Sequence, residues 1–277
     1  MSAMPLHSKV GAVVALVAIG LLASFTLAWP ARLVVWHGLS FTLSGRMLLG
    51  LVLLGVACAG TDSIVRGHAK IHAQQQEEAI GRYGVCHPIL HWILPAGLTT
   101  AFWALLARPG VLEGKVACVV AASGALALLI YAEYYAVNSP ARWRPKAQFA
   151  LQLIAYPVAA LIYFVIRESL PATRLAADVV AMASALLCLR LLGDEQCPLF
   201  QVLLSALGVG SFLGLLSWSL RPRVTSPLLY SLLLVVGLYI LSGVAREFLR
   251  GKLRKEVSLE YLFVGILALL VLLLYAR

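Results

Sequence analysis

The chain has 277 residues, of which 61% are hydrophobic and 12% charged, with a formal net charge of +10. Soluble domains sit nearer half apolar and a quarter charged, and at a mean hydropathy of +0.91 too few charges remain to coat a water-exposed surface. An ordinary cytosolic enzyme, a disordered chain and a nucleic-acid-binding domain are thereby excluded, and an integral membrane protein is left.

A spanning helix needs about 20 mostly apolar residues, because each adds about 1.5 Å across a core of about 30 Å. Nine segments meet this expectation in chain order: 10–29, 46–65, 89–107, 116–137, 147–166, 174–192, 198–220, 224–245 and 257–276. The sixth is the weakest, because Asp178 interrupts it. Backbone groups in lipid must be paired within the segment, so these runs are helices. They lack the alternation of a membrane β-barrel. The expectation is therefore an all-α fold: one polytopic transmembrane helix bundle over residues 1–277, with about nine spans.

The first apolar run is too long for a signal-peptide core and ends without a clear small-residue cleavage site, so it reads as an uncleaved anchor. Lys and Arg are more numerous on the side that holds the N-terminus and the even-numbered loops. That bias predicts a cytoplasmic N-terminus and an external C-terminus. It also explains the positive net charge without a nucleic-acid partner. Five cysteines, with no C-x-x-C pair among them, signal neither a disulfide framework nor a zinc ribbon.

The common catalytic signatures are absent from the sequence: no G-x-S-x-G, no H-E-x-x-H, no phosphate-binding glycine loop. What stands out is polar residues at or inside span ends, each costing roughly 2.5–3.5 kcal/mol at mid-membrane on insertion scales. Asp62 closes the second span, and only 15 uncharged residues separate it from Arg46. Arg66 follows at i+4, where the two can pair on one helix face. The third span opens with His87, Pro88 and His91, and Pro95 loosens the turn around His91. The fourth ends with Tyr131, Glu133, Tyr134 and Tyr135. The threading puts Asp62, His91 and Glu133 at similar depth on one membrane face. Such a set can bind a cation, relay protons or hold a polar headgroup. Equally, it can be a group of local pairs that fix packing.

His68 with His72, and His87 with His91, repeat the i,i+4 spacing used in metal and haem sites. Neither pair has a third ligand in the pattern, so the expectation is no cofactor. Ala206, Gly210 and Gly214 form a small-xxx-small stripe for close helix packing, within the chain or at a dimer seam. Arg250, Lys252, Arg254 and Lys255 lie in a basic, partly amphipathic run suited to anionic lipid headgroups on the cytoplasmic face.

Three short stretches carry a resemblance. Thr61-Asp62, His91-Trp92-Ile93-Leu94-Pro95 and Ala132-Glu133-Tyr134 resemble a family of uncharacterised bacterial multi-pass membrane proteins. The resemblance implies a bacterial inner-membrane protein and brings no activity with it. Three functions stay open. The leading one is a non-enzymatic accessory or assembly subunit with other membrane proteins as partners. The others are a small-solute or proton-coupled transporter, and a membrane-embedded enzyme acting on a lipid or isoprenoid.

Overall fold

The computed structural model describes residues 5–27, 31–36, 39–69, 87–108, 111–138, 143–170, 174–193 and 198–251, with isolated positions 263, 265, 267 and 270. The side chains of 31–43, 66–69, 87–89 and 144–145 are not among the described features. The elements are α1 (Leu6–Thr26), β1 (Ala31–Trp36), β2 (Leu39–Ser44), α2 (Gly45–Ala69), α3 (His87–Leu106), α4 (Leu112–Asn138), α5 (Arg144–Ser169), α6 (Arg174–Leu192), α7 (Leu199–Leu220) and α8 (Pro227–Leu249).

Among the described residues seven helices are long and apolar enough to cross a membrane, and α3 contributes a shorter apolar stretch, Leu90–Leu106. Their outward faces carry large apolar side chains; Phe200 is 73% exposed, and Leu204, Leu207, Leu215 and Trp218 of the same helix are exposed too. A soluble protein does not display apolar surface on that scale, so this is a membrane-spanning protein. The ninth expected span, 257–276, lies outside the described residues apart from 263, 265, 267 and 270, which are helical.

One element departs from an all-helical chain. Residues 30–45, expected as a loop between two spans, hold the antiparallel hairpin β1–β2, in register from Ala31↔Ser44 to Trp36↔Leu39. Val34, Val35, Trp36, Phe41 and Thr42 are the β-branched and aromatic types that favour a strand, and only His37 and Gly38 separate the two strands.

The chain divides into two compact units, residues 1–151 and 152–277, with the boundary inside α5. In the first unit α1, α2, α3 and α4 pack on one another. Glycines set the approach of the helices: a Cβ on Gly60 would meet Val13 at 2.7 Å, and one on Gly50 would meet the Trp103 ring at 2.8 Å. The inward stripes follow the helical period, as in Leu53, Ala57, Thr61, Ile64 and Val65 of α2.

In the second unit the most extensive seam joins α6 to α7. A Cβ on Gly210 would meet the Ala181 carbonyl oxygen at 2.5 Å and Ala185 Cβ at 2.7 Å; one on Gly214 would meet Ala181 Cβ at 2.7 Å and the Ala177 carbonyl at 3.0 Å. Ala206, one turn earlier, is buried. The small-residue stripe thus faces Ala177, Ala181 and Ala185 inside the same chain. Asp178 is exposed and makes no ion pair with Arg174.

Candidate functional site

The site forms at one end of the first unit, where α1 and α3 begin and α2 and α4 finish. On α4 the buried positions Val119, Ala122, Leu126, Leu129, Ile130 and Glu133 recur every three or four residues. Glu133 therefore continues an otherwise apolar stripe into the helix packing. On α3 the inward set is His91, Leu94, Leu98 and Ala101, which aims the imidazole at the same interior. Pro95 has no N–H for the His91 carbonyl four residues earlier, so the helix is loosened at the turn that carries the ring.

These two stripes bring acid and imidazole together. His91 Nδ1 lies 2.5 Å from Glu133 Oε2, with His91 6% and Glu133 0% exposed. A ring nitrogen and a carboxyl oxygen at that separation form a hydrogen bond in a site largely closed to water. Isolated, either group is costly to bury; paired, each satisfies the other.

Neighbouring polar groups tie the same end of the unit. Thr61 is buried, and its hydroxyl donates back to the Ala57 carbonyl at 2.7 Å, so it is satisfied within its own helix. The Cys58 thiol donates to the Trp92 carbonyl at 3.7 Å, joining α2 to α3. The Asn138 amide donates to the Val65 and Tyr134 carbonyls, both at 3.2 Å, joining α4 to the end of α2. His7 Nδ1 and the Tyr131 hydroxyl meet at 2.6 Å, joining α1 to α4.

Of the expected set, His91 and Glu133 make direct contact. Asp62 is half-buried on α2, between Cys58, which reaches α3, and Val65, which reaches Asn138. Tyr134 is rotated about 100° from Glu133 by helical geometry, and its ring packs edge-on against Tyr135 at 5.6 Å. The side chains of Arg66, His68 and His87 lie outside the described features, as does residue His72 entirely. Among the described residues no group of three or more His, Cys, Asp or Glu is placed to hold a metal ion. His7 is the participant that the sequence pattern misses. Its signal is positional: it stands just before the first span, on the side that the threading assigns to His91.

A family model described as "Protein of unknown function (DUF5656)" matches residues 28–275. The chain belongs to this family. The match takes in all of the candidate pair's surroundings on α2, α3 and α4, whereas His7 precedes it. No curated protein and no solved structure matches the chain.

The second unit handles its buried polar groups in the same way. The Tyr163 hydroxyl meets Ser184 Oγ at 2.8 Å, and Ser184 donates to the Val180 carbonyl at 2.7 Å. Ser217 Oγ and the Tyr230 hydroxyl meet at 2.5 Å. Arg246 reaches from α8 to the Leu191 carbonyl at 2.8 Å. In both units several inward polar side chains are bonded across helices, which is how a membrane bundle fixes its helix register.

Proposed function

We propose that this membrane protein is a non-catalytic accessory or assembly subunit, and that His91 and Glu133 lock its helices instead of performing chemistry. One observation carries the reading: the buried acid Glu133 is sealed, with its carboxylate held against an imidazole at 2.5 Å and no exposed surface. A catalytic carboxylate needs reach to a substrate, and this one is fully buried at the end of the inward stripe of Leu126, Leu129 and Ile130. Exposed apolar residues on the outward faces, such as Phe200, Leu204 and Leu207, suit contact with lipid and with neighbouring membrane subunits.

In this reading the chain forms a single transmembrane domain in a bacterial inner membrane, with the N-terminus cytoplasmic and the C-terminus external. Arg250, Lys252, Arg254 and Lys255 then face anionic headgroups on the cytoplasmic side. Arg250 caps the end of α8 and lies 3.5 Å from Glu247; Lys252, Arg254 and Lys255 fall outside the described residues. The test is mass measurement of the protein extracted in mild detergent at native abundance. A second polypeptide in fixed ratio is expected. A lone 29.8 kDa chain overturns the proposal.

A proton-coupled transporter is the second reading. It is favoured by the gathering of His7, Tyr131, Asp62, His91 and Glu133 at one end of the unit. It requires proton movement across vesicles holding the purified protein, abolished by Glu133→Gln.

A further inference from the structure

The second unit holds two cations that the polar pairing described above does not absorb. Arg167 stands at the end of α5, and Arg221 in the turn after α7. Each binds the other's helix terminus. Arg167 Nη2 donates to the Arg221 carbonyl at 3.2 Å and the Val224 carbonyl at 3.0 Å. Arg221 Nη2 donates to the Arg167 carbonyl at 3.1 Å and to the Leu170 carbonyl. The Arg167 guanidinium also lies 5.4 Å from the centre of the Tyr230 ring. Cations at helix C-termini complement the last carbonyls and the helix dipole, which accounts for one nitrogen of each fork.

The remaining nitrogens are unaccounted for. Arg221 is only 7% exposed. Its Nε and Nη1, together with Nε of Arg167, are buried and meet no acceptor among the described residues. Neither guanidinium has a carboxylate partner there. Glu168, next to Arg167 in sequence, is exposed, and Arg223 adds exposed positive charge just beyond Arg221. Burial pushes the Arg221 guanidinium below its ordinary value; Tyr230 opposes that, and the like charge of Arg167 adds to it. An arginine nonetheless stays charged in proteins, so two close positive charges and three buried donors without an acceptor among the described residues suit an anion.

We propose that Arg167 and Arg221 form a phosphate-binding site at the end of the second unit, for either a lipid phosphate headgroup or a free phosphate ion. Guanidinium forks match tetrahedral phosphate oxygens with paired donors, and basic pockets between membrane helices are known anionic-headgroup sites. Arg167 is half-buried, not sealed, which leaves the anion a way in. Tyr230, fixed by Ser217, backs the Arg167 plane and holds its fork in place.

The test uses the full chain, purified in detergent. Lipid retention is read by native mass spectrometry, and melting temperature is followed with added phosphatidylglycerol against phosphatidylcholine, and with inorganic phosphate against chloride at equal ionic strength. A lipid source predicts retained phosphatidylglycerol in wild type and in an Arg250→Gln/Lys252→Gln/Arg254→Gln/Lys255→Gln variant, with retention falling at least tenfold in Arg167→Gln. A free-phosphate source predicts stabilisation by inorganic phosphate that Arg167→Gln removes, with no preference between the lipids. Should Arg167→Gln fail to fold, the same comparisons on the quadruple variant decide the matter. No preference for either phosphate probe there, or equal retention in a folded Arg167→Gln protein, overturns the proposal and leaves the arginines as helix caps alone.

Discussion

Replacing Glu133 by Ala is the sharpest perturbation of the first unit. The carboxylate is fully buried and 2.5 Å from the imidazole, so its loss removes an acidic partner from a buried ring. Removing one member of a buried ion pair costs roughly 3–5 kcal/mol. Neutral interhelical hydrogen bonds in membranes are far weaker, averaging about 0.6 kcal/mol, because the unfolded helices also find partners in the bilayer. Tyr163→Phe, which removes one such neutral bond to Ser184, is the internal comparator. Reversible unfolding in mixed detergent micelles should therefore give Glu133→Ala a loss of about 3 kcal/mol or more and Tyr163→Phe less than about 1.7. The double variant His91→Leu/Glu133→Leu replaces the pair with apolar groups of similar volume. It should cost no more than either single truncation, since exchanging a whole buried pair is often near neutral. A Glu133→Ala loss below about 1 kcal/mol would refute the reasoning, as would a double variant at the sum of the single losses.

Other outcomes follow from the same geometry. Gly210→Ala pushes a methyl into the Ala181 carbonyl and Ala185 and should cost about 1–3 kcal/mol in the same unfolding assay; Gly208→Ala, with nothing within 4 Å, should be neutral or stabilising by up to about 1 kcal/mol. Asn138→Ala breaks the bonds from α4 to the Val65 and Tyr134 carbonyls and should cost about 0.5–1.5 kcal/mol by the same measurement. In a cysteine-free background, Ser2→Cys should be protected from a membrane-impermeant thiol reagent in intact cells and Arg277→Cys should react; the reverse pattern overturns the orientation proposed from the Lys and Arg distribution.

The helices were legible in the sequence because lipid imposes a length. The weakest segment, 174–192, coincides with α6 (Arg174–Leu192), since one interfacial Asp does not outweigh the apolar run behind it. Helix starts were less legible. α4 begins at Leu112 instead of 116, with Glu113 in its first turn, where an acid complements the helix dipole. α5 begins at Arg144, because Pro145 suits a first turn. Charged residues look like loop from composition alone, yet at a helix end they extend the helix. The hairpin had a signal in its β-branched and aromatic residues around His37-Gly38, but it was hidden between two stronger apolar runs. His91 and Glu133 could be assigned to one membrane face by counting spans. Their direct contact could not, because it depends on how two inward stripes rotate against each other. The Arg167–Arg221 brace joins residues 54 apart in sequence, each of which reads as an ordinary flanking charge.

The most direct test of the account is assembly by the His91→Leu/Glu133→Leu protein, expressed at native level and isolated in mild detergent. If the pair serves packing, this protein folds and enters a complex of the same composition and stoichiometry as wild type. A double variant that folds normally but no longer assembles, or a wild-type protein isolated alone, would contradict it.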